Sequence, residues 1–150
     1  MDHQEGPWLA QANESLHAAT EISEWHTACL ELANGCRQES QGDETRQFHR
    51  LCELASQRER LFGPHPFAIQ YQDDIRGIIS SPGEIVSFLL KKLESYSGYM
   101  ISKALHGDAH VSIAPVGPAK ETHFAAPTLS LALIGACGLI LGERAAEPAV

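Results

Sequence analysis

"FAAPTLSLALIGACGLILG", residues 124–142, runs for nineteen residues without a charge. Where this run is buried decides the fold. A helix of about 20 apolar residues, rising about 1.5 Å each, crosses the hydrocarbon of a bilayer. The run barely reaches that length, and Pro127, Thr128 and Ser130 weaken its start. Gly138 and Gly142 make a GxxxG pair of the kind that lets helices approach closely in lipid. Glycine-rich apolar runs also carry that pattern by chance. Neither Trp nor Tyr borders the run, and Lys120 is its one nearby upstream cation. These flanks favour burial in a protein core, as a helix or as two strands turning at residues 135–138, over a membrane anchor. The rival expectation is a tail anchor, with residues 1–123 as a cytosolic helical body and 143–150 as a polar tail.

Upstream, apolar residues recur at steps of three and four from Trp8 to Ala33. Leu9, Ala12, Leu16, Ala19, Ile22, Trp25, Cys29 and Leu32 read as one stripe of an amphipathic helix, with Glu14, Glu21, Glu24 and Glu31 off it. Asn34-Gly35 suits a left-handed cap. After the polar loop 37–44, Asp43 is placed to cap a second helix over 44–62, whose apolar face is Phe48, Leu51, Cys52, Ala55 and Phe62. Gly63-Pro64 ends it. Phe67, Ile69 and Tyr71 alternate as a short extended segment over 67–71. Ser81-Pro82-Gly83-Glu84 is a capping box with proline in the first turn. It opens a helix expected to reach about Leu105, with Gly98 as a point of bending or ending. Val111, Ile113 and Val116 suggest a second extended segment over 110–116. The expected fold is therefore mainly α: three to four helices packed as an irregular bundle, with the uncharged run as its central element.

A net charge of −8 argues against a general nucleic-acid surface. Cys29, Cys36, Cys52 and Cys137 show no CxxC spacing. With no basic-then-apolar leader at the start, they read as free thiols in a reducing, cytoplasmic setting, membrane-associated only if 124–142 is an anchor.

His106-x-Asp108-x-His110 places three metal-ligand side chains within five residues. On an extended strand they would face one side, about 6–7 Å apart at each step. Gly107-Asp108 reads more naturally as a turn, with His106 near the negative end of the preceding helix. A metal-dependent enzyme built on these three residues is accordingly the weakest functional expectation. Glu14-x-x-His17 lacks the second helical Glu-x-x-His that a dinuclear site needs. The chain has no GxSxG elbow, phosphate loop or dinucleotide fingerprint, and nothing implies a cofactor. The leading expectation is a non-catalytic protein–protein interaction or regulatory module. Trp8, Trp25 and Phe48 are its candidate contact anchors, with Trp25 better suited to the core; the partner is a protein, and self-association is left open. The alternative is recruitment from a membrane through 124–142.

Overall fold

The computed structural model describes residues 7–38, 43–63, 79, 81–95, 97–115 and 120–146, with side chains described from Leu16 to Gly142. The elements in order are α1 (Pro7–Gln38), α2 (Glu44–Phe62), α3 (Pro82–Glu94), β1 (Ser97–Lys103), β2 (Ala109–Pro115), β3 (Thr122–Ala126) and α4 (Leu129–Ala146). The protein is mainly helical, with a small antiparallel sheet in the order β1-β2-β3. The extended segment expected at 67–71 lies outside the described residues. The one expected at 110–116 corresponds to β2.

The uncharged run supplies the last three residues of β3 and most of α4. From Ser130 to Gly142 every residue but Leu139 is buried. A helix that is apolar all round is stable only when covered all round. Here α1, α2, α3, β2 and β3 all pack on α4. No helix among the described residues is long and apolar enough to cross a membrane. Two of the glycines that suggested contact in lipid face α1 within the fold. A Cβ on Gly138 would lie 3.2 Å from Leu32 Cδ2, and one on Gly142 would lie 3.4 Å from Cys29 Cβ. The two glycines let α1 cross α4 closely, with the helices antiparallel. Thr128 starts α4: its hydroxyl accepts from the Leu131 amide (3.2 Å) and donates to Glu44 Oε1 at the start of α2 (3.3 Å). The buried Glu44 carboxylate thus sits by the positive end of α4.

Three local expectations are corrected. α1 does not cap at Asn34-Gly35 but continues helically to Gln38. Gly35 serves close packing, since a Cβ there would meet Gln47 Nε2 at 3.3 Å. Asp43 precedes α2 without a side-chain cap bond, and its backbone carbonyl accepts from the Gln47 amide at 3.2 Å. The helix beginning at the Ser81 capping box stops at Glu94 rather than Leu105. Ser97 Oγ donates to the Leu93 carbonyl (3.3 Å), and β1 begins there. From that point the period is two: Ser97, Tyr99 and Ile101 turn inward, while Gly98, Met100 and Ser102 turn out. A β-branched and an aromatic residue on alternate positions suit a half-covered strand better than a helix. The capping box itself forms, with Ser81 Oγ accepting from the Glu84 amide and donating to Glu84 Oε1 (2.9 Å).

The largest correction concerns α1. At about 100° per residue, the nine residues from Leu16 to Trp25 make about two and a half turns, which puts the two on opposite faces. The supposed single stripe is two stripes. Trp25, Cys29, Leu32 and Cys36 face the core and are buried, whereas Leu16 is 66% exposed.

Candidate interaction surface

The contact anchors read from sequence divide by burial. Trp25 and Phe48 are core side chains, not surface anchors. The Trp25 indole N–H donates to the Leu54 carbonyl (2.8 Å), and its ring tilts against Phe62 with centroids 5.7 Å apart. Phe48 meets Phe88 edge-on at 5.6 Å. Both rings are covered inside the fold, with the Trp25 N–H satisfied there, and are unavailable to a partner. The side chain of Trp8 lies outside the described residues.

His106, Asp108 and His110 are all exposed, around the turn joining β1 to β2. His106 and Asp108 lie in the loop. His110 is on the outer face of β2, with Ser102 and Ala125 as its cross-strand neighbours. Among the described residues no three His, Cys, Asp or Glu side chains gather in a geometry that could hold a metal ion. The turn separates what a continuous strand would have aligned.

Sequence spacing gave no hint of a second polar cluster. Ser112 and His123 are directly opposite on β2 and β3. Ser112 Oγ lies 2.8 Å from His123 Nδ1, and Glu121 Oε2 lies 3.8 Å from Nε2. Ser, His and Glu in a row suggest nucleophilic chemistry. That chemistry needs a water-poor cleft and donors aimed at a developing oxyanion. His123 and Glu121 are instead well exposed on an open sheet face. The arrangement is a cross-strand surface pair with a flanking carboxylate.

Between α1 and α2 runs an open groove of about 630 Å³, lined in part by Arg46, His49, Arg50, Glu53 and Gln57. A smaller recess of about 240 Å³ continues it past Glu21, Glu24, Trp25 and Arg60. Arg50 pairs with Glu31 across the helices at 3.6 Å. Charges of both signs line the groove walls without converging on one point.

Burial favours the protonated form of two of the thiols. All four cysteines are buried and none is in a disulfide. Burial pushes the Cys29 thiol from its ordinary 9.0 up to about 12, partly countered by Arg50. Cys137 is also raised, by burial first and then by the neighbouring Cys36 and Cys52. Neutral thiols of this kind behave as small hydrophobes.

What remains is the outward face of α1. Residues 16–20 are exposed on every side, and burial begins only with the half-buried Glu21 and Ile22. Leu16 (66% exposed) and Leu30 (45% exposed) stand fourteen residues apart on one outward face, with the exposed Ala19 beside Leu16. Met100 and Leu105, on and beside β1, are also exposed apolar side chains. No protein-family model matches the chain, and no curated protein or solved structure does either.

Proposed function

We propose that the protein is a non-catalytic helical interaction module. A folded body anchors the C-terminal half of α1 and presents its N-terminal half to a protein partner. The carrying observation is that residues 16–20 are exposed all round, while from Trp25 onward the same helix buries one face in the core. In water an isolated helix of about 12–15 residues is marginal, and packing normally stabilises it. A projecting half-helix with leucine on its surface gains most from a second surface. The open groove and the exposed Ser112–His123 pair offer no enclosed place for a reaction, which favours binding over turnover. Four buried thiols suit a reducing compartment.

Site-specific photocrosslinking tests the proposal. A benzophenone side chain replacing Ser23 or Thr27, both exposed on α1, should trap a discrete protein partner in cells. The same group replacing His123, on the outer face of the sheet, should not. Equal trapping at all three positions, or turnover of a substrate by the purified chain, defeats the proposal.

A further inference from the structure

We infer that β1 pairs antiparallel with β1 of a second copy, joining two three-stranded sheets into one of six strands. The contact lies apart from α1 and goes beyond the interaction-module reading. β1 is an edge strand of the described sheet, and its seven residues pair with β2 without a bulge. A straight edge of this kind presents a row of backbone donors and acceptors to any strand laid beside it. It holds no proline, and Lys103 at its end is its single charge. The other edge, β3, lies beside α1, where Arg37 stacks on Phe124 at 4.6 Å.

Burial shows that β1 is incompletely covered. The inward side chains of β2 (Ala109, Val111 and Ile113) are buried, but Tyr99 and Ile101 on the same side of β1 are only half-buried. α4 packs on β2 and β3, whereas the main helical neighbour of β1 among the described residues is α3. On α3 the half-buried Leu90 stands one turn before Glu94, whose Oε1 accepts from the Tyr99 hydroxyl at 3.5 Å. Leu90, Tyr99 and Ile101 thus leave an apolar margin at the free edge.

Side-chain alternation restricts the register. Same-face residues must oppose each other in an antiparallel pair, so the two numbers in each pair of β1 residues add to an even sum. Full overlap of Ser97–Lys103 with its copy then puts Met100 on the two-fold axis, facing the partner's Met100. Tyr99 falls opposite the partner's Ile101, the aromatic and β-branched combination that Tyr99 already makes with Ile113. Lys103 falls opposite the partner's Ser97, on the face where α3 ends. The nearest charge there is the partner's Glu94, held beside the partner's Tyr99. Symmetry forms this lysine–glutamate approach twice, and no like charges meet. A second copy is therefore matched to the edge in charge as well as in side-chain pairing.

Sedimentation velocity on the full chain tests the pairing. Seven residues a side is small against the roughly 20–30 of a standard interface, so the dimer should form near about 100 μM and dissociate towards about 1 μM. Met100→Lys, at a position 75% exposed, sets two like charges together on the axis. It should weaken the dimer at least about tenfold and leave the circular dichroism unchanged. Lys103→Glu and Glu94→Lys should each weaken it about threefold or more, and the double variant should restore it. A chain that stays monomeric at about 100 μM overturns the inference. So does a dimer that Met100→Lys leaves intact, a double variant no tighter than the single ones, or assembly beyond the dimer. A foreign protein trapped at Ser23 bears on the interaction module alone, so the two readings fail separately.

Discussion

α4 and the N-terminal half of α1 are both rich in small and apolar residues, yet the fold treats them oppositely. α4 is apolar around its whole circumference and is enclosed by five other elements. Residues 16–20 of α1 are instead exposed on every side, Leu16 among them. The difference teaches that hydrophobic content does not decide burial. Angular distribution does: a greasy cylinder has no solvent side and must be surrounded, whereas a mostly polar cylinder carries a few apolar side chains in water.

Cavities and clashes in α4 should break the comparison most severely. Leu133→Ala, at a fully buried position, should cost about 2–5 kcal/mol in urea unfolding. Gly135→Ala should cost about 1–3 kcal/mol, since the new methyl falls against the buried Phe124 ring on which Arg37 stacks at 4.6 Å. Alkaline titration sharpens the contrast next. The folded core holds the Cys29 proton up to about 12, while an unfolded thiol releases it near 9.0. The folded state therefore binds more protons in that window. Stability should be complete below pH 9 and fall as the pH rises towards 12, with a shallower decline in Cys29→Ala. Ser81→Ala, which removes the cap of α3, should cost about 1 kcal/mol. Leu16→Asp should change stability by no more than about 0.5 kcal/mol, despite replacing a leucine by a charge. If instead it lowers the unfolding midpoint as Leu133→Ala does, the outer half of α1 belongs to the core and the contrast fails.

Much of the helical part was legible from residues 43–94. There the breaks at Gly63 and Ser81, and the periodic faces led by Phe48, Leu51, Ile85 and Leu89, all point the same way. The sheet was half legible. β2 alternates cleanly, but β1 follows α3 with only two residues between, so Met100 and Ala104 continue a helical spacing by coincidence. Only cross-strand partners such as Tyr99 opposite Ile113, which are non-local, decide for strand. The surface was least legible. Steps of three and four were added along α1 without following their rotation, so one stripe was read where two exist. The half-turn offset between Leu16 and Trp25, nine residues on, was the signal that separates them. His106, Asp108 and His110 looked convergent in one dimension and are split by a hairpin turn.

The enclosing arrangement around α4 also orders events at the ribosome. Every element that packs on this helix is translated before it. At about 5–20 residues per second, the inner faces of α1 and α2 wait on the order of several seconds for their shared partner to emerge. Throughout that interval the nascent chain shows chaperones the very side chains that the finished molecule hides most thoroughly.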